Sequence, residues 1–295
     1  MSEKIIHIGY PKTGTTFLQW VVFPNLSGLN FIEYKRCREI FSEIVYSDPL
    51  DYSLRIIFDR LSESEKPQLF SFEALAGSPF YYKGIGRSNI AVTLKELGFS
   101  KIIITIRDQV KAIDSYYRQY VVQGGTLNFK NWLDINNERP LSNQYFQLGY
   151  LKYYSLIYRY FELFGKENVL VIDQAELLSQ QEEVINRISF FTNSNYKNEN
   201  PDKSANRSMS NLSISLLRFI NHFTFSSIRP FHLISNRISN RPIWKLFAVI
   251  IDPYLLSLFS RRRSYLSSEL EDKIRAYYSE SNQNLEKLTT INFNK

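Results

Sequence analysis

Three groups of side chains in this 295-residue sequence could do chemistry together. The first is Pro11-Lys12-Thr13-Gly14-Thr15-Thr16, which follows the apolar run Ile5-Ile6-His7-Ile8 and Gly9 and precedes residues able to begin a helix. Strand, tight loop and helix N-terminus form an anion cradle. Loop and first-turn N–H groups converge there, and the helix dipole favours negative charge. Gly9 and Gly14 permit close approach and backbone angles that a Cβ would obstruct. Thr13, Thr15 and Thr16 add hydroxyls, and Lys12 adds a cation. The loop is nearly GxxxxGK[ST], but Thr15 stands where that pattern has its lysine, and the lysine comes before the glycine at Lys12. Taken alone, the stretch also fits an ordinary strand–turn–helix whose threonines only cap.

The second group is Arg107 with Ser115. Arg107 closes the run Ile102-Ile103-Ile104-Thr105-Ile106, and Ser115 lies about two helical turns further on, able to face back towards the strand end. A guanidinium fork and a hydroxyl suit one phosphate. A surface arginine and a helix-interior serine would read the same way in isolation. The third is Glu73, at the end of Gln68-Leu69-Phe70-Ser71-Phe72. A carboxylate there can act as a general base towards a hydroxyl nucleophile, or it can sit in a structural ion pair. Arg207 lies in a polar Asn- and Ser-rich loop, as an anion ligand or a solvated side chain. The histidines are poor alternative bases: His7 lies inside the first strand, and His222 and His232 lie in a divergent segment.

The run PKTGTTxLQ, Pro11 to Gln19, resembles the phosphosulfate-binding loop of sulfotransferases that use 3′-phosphoadenosine 5′-phosphosulfate (PAPS). Ile106-Arg107-Asp108, followed by Ser115 and Tyr117, resembles the segment of that family that holds the nucleotide 3′-phosphate. The likeness continues through Gly149–Leu178 and Tyr278–Leu285 and is poorest over 212–263. Gln109 replaces the usual proline, a change expected to loosen the turn. The resemblance implies a P-loop nucleotide-kinase-like α/β fold with PAPS as sulfuryl donor and no metal. Pro11, Lys12, Thr13, Gly14, Thr15 and Thr16 would surround the 5′-phosphosulfate, with Lys12 stabilising the leaving oxygen. Arg107 and Ser115 would hold the 3′-phosphate, Arg207 would belong to the covering loop, and Glu73 would be the base. A glutamate there is the habit of members acting on carbohydrates, so the implied acceptor is a glycan or glycolipid hydroxyl. Two rivals remain. A P-loop small-molecule kinase lacks its lysine at position 15 and a convincing Mg²⁺ aspartate. A non-catalytic nucleotide-binding, membrane-docking module sits poorly with an intact Glu73.

The elements that must position these residues are legible from patterning. Hydrophobic residues make up 44% and charged residues 22%, a globular balance in a length that suits one sulfotransferase domain over 1–295. The single cysteine, Cys37, precludes an internal disulfide and suits a reducing compartment, and no apolar leader precedes the loop. A cytoplasmic setting is expected, with the inner face of a membrane as an added location. Strands are expected at Gln68–Glu73, Lys101–Ile106 and Val169–Ile172 besides the first. Helices are expected at Thr15–Phe23, Arg36–Tyr46, Leu50–Leu61, Ile90–Leu97, Val110–Val122 and Leu148–Phe164. The last of these should turn Leu148, Leu151, Tyr154, Ile157, Tyr158 and Phe161 inward. A closing helix should begin with the capping box Ser268-x-x-Glu271. Alternating strands and helices predict an open parallel sheet with helices on both faces, its ligand outside the carboxyl ends of the strands.

One segment stands apart. Residues 203–263 hold ten lysines and arginines against Asp252 alone, a net +9, whereas the whole chain is +7. The basic residues alternate with Phe, Trp, Leu and Ile. The pattern fits an anionic membrane surface, a packed helical subdomain with solvated arginines, or a site for an acidic acceptor. Its most apolar part, Ile243–Phe259, is broken by Lys245, Asp252 and Pro253 and reads as a poor membrane span. A nucleic-acid partner is not expected, because the basic excess is local and no binding motif accompanies it.

Overall fold

A computed structural model describes residues 2–46, 53–61, 64–77, 79, 84, 86–135, 145–197, 209–226 and 240–294. Five short runs rich in Ile, Phe and Val pair in parallel: β1 Lys4–His7, β2 Asn30–Ile32, β3 Gln68–Ser71, β4 Lys101–Ile106 and β5 Val169–Asp173. Their order is β2-β3-β1-β4-β5. The register sets Ile5 beside Leu69, Ile6 beside Phe70 and His7 beside Ser71. Strand alternation then sorts the side chains to two faces. Ile5, Leu69, Ile103 and Ile172 pack with Leu18, Val22, Leu177 and Ile188 on one face. Ile6, Phe70, Ile102 and Ile104 pack with Phe41, Leu94 and Ile157 on the other. Burial on both faces is what continuous apolar strands require. The fold is the expected open α/β sheet with helices on both sides.

Several boundaries differ from the patterning, each for a local reason. The edge strand β2 is only three residues long and escapes a reading that gives the region to helices. Residues 15–25 are not one α-helix. Three α-helical residues, α1 Thr15–Phe17, widen into a π-helical stretch Leu18–Val22 and tighten into a 3₁₀ turn Phe23–Asn25 that accommodates Pro24. Helix α2 runs Tyr34–Tyr46, and the helix expected over Leu50–Leu61 is seen as Leu54–Arg60, its first part lying outside the described residues. Strand β3 stops at Ser71, and Glu73 begins a 3₁₀ turn, Glu73–Ala76.

Helices α3 Arg87–Glu96 and α4 Gln109–Val122 come close to expectation. The next does not. A 3₁₀ turn over Leu148–Leu151 ends at Lys152, which is not helical, and α5 Tyr153–Phe164 starts afresh. That break shifts the phase, so Tyr153, Leu156, Ile157, Tyr160 and Phe164 are buried while Tyr158 is exposed. Helices α6 Gln174–Ser179 and α7 Asn211–Ile220 follow, then α8 Ser268–Thr289 near the end of the chain. The cap of α8 is Ser267, accepting from Leu270 N–H, so the capping box at Ser268 does not form. Gln109 does not loosen its turn. It is buried and exchanges amide hydrogen bonds with Asn282 of α8 (2.6 and 3.3 Å), and Asp108 caps α4 by accepting from Lys111 N–H.

Candidate functional site

The loop between β1 and α1 sits over the carboxyl ends of β3, β1 and β4. Its backbone is held in the left-handed region twice, at Lys12 (φ 65°) and Gly14 (φ 92°). A side chain tolerates that region poorly, so Lys12 must be over-determined by its surroundings. It is: its carbonyl accepts from Arg107 Nη1 (3.0 Å) and from Gln174 Nε2 (3.2 Å). Gly14 cannot be replaced easily, because an L side chain is strained at that φ, and a Cβ there would also lie 2.8 Å from Leu177 Cδ2. Gly9 is constrained by crowding instead. A Cβ would fall 1.8 Å from Thr105 Oγ1 and 2.6 Å from His7 Nε2.

Beneath the loop the polar residues on one face of three adjacent strands form a continuous hydrogen-bond chain. Gln19 Nε2 lies 3.0 Å from Ser71 Oγ, Ser71 Oγ 2.8 Å from His7 Nδ1, His7 Nε2 3.2 Å from Thr105 Oγ1, and Thr105 Oγ1 2.6 Å from Thr13 Oγ1. Thr13 Oγ1 in turn donates to the Tyr10 carbonyl. A carbonyl only accepts, so that last bond uses the Thr13 proton and fixes the donors as far as His7 Nε2. Thr105 must donate to Thr13 and accept from His7 Nε2–H. With a neutral ring, Ser71 donates to His7 Nδ1 and accepts from Gln19. Thr13 is wholly buried, and its hydroxyl serves this chain; its backbone N–H is what it can offer to a ligand.

Burial is what keeps the His7 imidazole neutral. Burial drives its pKa from the ordinary 6.5 down to about 3. Because the folded pKa is the lower one, the contribution to stability is complete above pH 6.5. It falls by about 1.4 kcal/mol per pH unit between 6.5 and about 3. Asp173, raised by burial to about 6, acts in the opposite sense over part of that window. At pH 5, ¹⁵N spectra should therefore show His7 neutral with its proton on Nε2. An imidazolium signal from the folded protein at that pH would contradict the assignment.

Above the loop the charged groups gather. Thr15 Oγ1 donates to Glu73 Oε2 (2.8 Å), which brings the first residue of α1 to the carboxylate that follows β3. Lys12 is exposed as a residue, yet its ammonium stands among protein groups. Burial lowers its pKa, the Glu73 carboxylate opposes that, and Arg107 reinforces it. Arg107 is also lowered, first by burial and then by the neighbouring Arg262 guanidinium. Arg107 Nε is buried with no hydrogen-bond partner among the described residues. A guanidinium that has lost water, keeps an unmet donor and faces a second cation is arranged for an anion. Ser115 is half-buried on α4, and no hydrogen bond among the described residues ties it to Arg107. Thr16 is exposed and Pro11 half-buried on the loop. Arg207 and His232 lie outside the described residues.

Several supporting residues were not singled out from sequence. Tyr10, fully buried, packs edge-on against Tyr150 (5.3 Å between centroids) and Tyr153 (4.8 Å), forming an aromatic floor. Tyr153 OH donates to the Arg107 carbonyl (2.8 Å), and Arg87 Nη1 donates to the Tyr150 carbonyl (2.8 Å) and the Tyr10 hydroxyl (3.2 Å). Gln174 and Arg262 complete the set. Tyr10 adjoins the loop motif and could have been flagged. Arg262 is one of three consecutive arginines and read only as bulk charge; it is half-exposed and pairs with Asp114 Oδ2 at 3.2 Å.

Residues 2–213 match the family described as sulfotransferase domain. No curated protein matches the chain. Among solved structures, a sulfotransferase from Alicyclobacillus acidocaldarius is similar at 15% identity and a TM-score of 0.56, covering 98% of this chain and 96% of that one. That likeness concerns the fold. A mouse sulfotransferase complexed with PAP is similar at 14% identity and a TM-score of 0.46, covering 97% and 88%. The sulfotransferase domain from the curacin biosynthetic pathway stands at 15% and 0.41, covering 95% and 98%.

Proposed function

Because this chain belongs to the sulfotransferase domain family, we propose that it transfers a sulfuryl group from PAPS to a hydroxyl on a saccharide or glycolipid. The observation that carries the donor assignment is the convergence of Lys12, Thr15, Glu73 and Arg107. Arg107 grips the Lys12 carbonyl, Thr15 grips Glu73, and Lys12 and Glu73 feel each other's charge. PAPS supplies an activated sulfuryl group on a phosphate leaving group. The loop amides, the Thr15 N–H among them, and the Thr16 hydroxyl would bind the 5′ end, the Thr15 hydroxyl being committed to Glu73. The Lys12 ammonium would stabilise negative charge gathering on the leaving oxygen. Arg107, with its unmet Nε–H, and Ser115 would hold the 3′-phosphate, helped by Arg262. Arg207 would cover the nucleotide. Glu73 would take the acceptor proton and orient the attacking oxygen. The scheme calls for no metal.

A carboxylate base supports a carbohydrate-type acceptor over the small phenols served by histidine members. His7, the histidine closest to the loop, is buried and committed at both nitrogens. Radiolabelled-sulfate transfer across saccharides, glycolipids and phenols tests the acceptor. A cytoplasmic setting is in keeping with Cys37, which is buried and free.

The donor is tested by thermal shift. Adenosine 3′,5′-bisphosphate should raise the melting temperature, and ATP with Mg²⁺ should not. In Arg107→Ala the loss of a charge-assisted phosphate contact should cost about 1.5–3 kcal/mol, or about 10- to 150-fold in affinity for the bisphosphate. A shift by ATP alone would favour the kinase reading. An unchanged affinity in Arg107→Ala would remove Arg107 from the 3′-phosphate site.

A further inference from the structure

The helix Pro242–Phe259 is apolar on both of its sides. It runs as α-helix over Asn240–Leu246, as π-helix over Phe247–Leu256 and as α-helix again over Ser257–Phe259. Pro253 lies inside the π stretch, where the wider turn avoids the clash that would break an α-helix. Lys245, Asp252 and Pro253 therefore do not interrupt it. By length and composition it could cross a membrane, with a mean hydropathy of 1.5 over 18 residues. Phe247 and Asp252 turn inward. Leu246, Val249, Ile250, Tyr254, Leu255, Leu258 and Phe259 turn outward, each between 47% and 77% exposed. Phe219 of α7, which packs against this helix, is also exposed. Soluble proteins rarely leave so many large apolar side chains together in water.

Positive charge sits at the end of this face. Arg261 and Arg263 are exposed immediately after the helix. A cavity of about 550 Å³ opens there, lined by Asn211, Leu258, Phe259, Ser260, Arg261 and Arg263. Two arginines, Asn211 and Ser260 line it beside Leu258 and Phe259, with no acidic residue among them. The only acidic residue in 203–263, Asp252, is buried away from the surface.

We propose that this face docks the protein on an anionic phospholipid membrane. The helix would lie in the headgroup plane with Leu246, Ile250, Tyr254 and Leu258 among the acyl chains. A headgroup phosphate would occupy the cavity between Arg261 and Arg263. Apolar burial and basic attraction at one surface are the two signals a stable peripheral attachment requires. A second copy of the chain fits less well, because a two-fold contact through this face would bring the same arginines towards each other. Spanning fits less well too. Asp252 accepts from Ser210 N–H (2.9 Å) and Ser213 Oγ (2.6 Å), so the inner side of the helix is fastened to the start of α7. The proposal needs no assumption about the transferred group, and its test does not depend on the donor.

The full chain is co-sedimented with phosphatidylcholine vesicles and with vesicles that also contain phosphatidylglycerol, at low and high salt. Binding should favour the anionic vesicles by about tenfold or more and weaken as salt screens the arginines. The double variant Arg261→Glu/Arg263→Glu should lose that preference. Leu258→Ser/Phe259→Ser should weaken binding to both vesicle types. These positions are exposed, so melting temperatures should match wild type; if a variant fails to fold, the wild-type lipid and salt comparison still decides. Equal partition to neutral and anionic vesicles, no binding at low salt, or attachment that resists high salt would overturn the proposal. So would concentration-dependent dimers with no affinity for vesicles.

Discussion

Lys12→Ala is expected to lower sulfuryl transfer on the order of a thousandfold while leaving the loop in place. Removing one preorganised donor from a site of developing negative charge costs about that much. The ammonium stands among protein groups, where burial lowers its pKa, and a cation so placed interacts more strongly with charge forming beside it. The loop should survive because Arg107 and Gln174 hold the Lys12 carbonyl, not its side chain. Alanine at φ 65° is strained to about the degree that lysine is. Single-turnover transfer and the thermal shift by adenosine 3′,5′-bisphosphate, measured on the same variant, separate the two effects. Near-normal turnover with normal binding would show that another group stabilises the leaving oxygen.

Glu73→Gln should lower turnover on the order of a hundredfold or more and leave donor affinity unchanged. The amide oxygen can still accept from Thr15, so the contact between α1 and the turn after β3 is kept. What disappears is the capacity to take a proton. A variant that keeps near-normal turnover would place the base elsewhere, and His222 and His232 would be the residues to substitute next.

The sheet was legible wherever the chain repeats Ile and Val without interruption, as in β4, because only burial on two faces accounts for such a run. The three-residue β2 carries too few positions to show a period. Phase errors arose where helix type changes. Patterning assumes 3.6 residues per turn, and the non-helical Lys152 resets the count before α5. Lys12, Glu73 and Arg107 could be placed at strand ends because residue type and strand position coincide there. The groups that hold them could not. Gln174 reaches Lys12 across 162 residues and Tyr153 reaches Arg107 across 46, and Arg262 stands beside Arg107 from a distant segment, by tertiary contacts that no local spacing encodes.

Asp252 decides something that greasiness leaves open. With Phe247 and Ile251 on one side and Val249, Ile250 and Tyr254 on the other, rotating the helix about its axis would exchange one oily surface for another. Hydrophobic burial has no direction and would score many rotations alike. One carboxylate, whose partners among the described residues are Ser210 and Ser213, makes a single rotation the answer. It acts as an index mark, much as a lone polar residue selects the register of a coiled coil. Which aromatic side chains of the helix greet the surroundings is thereby set by two hydrogen bonds to a residue that is itself buried.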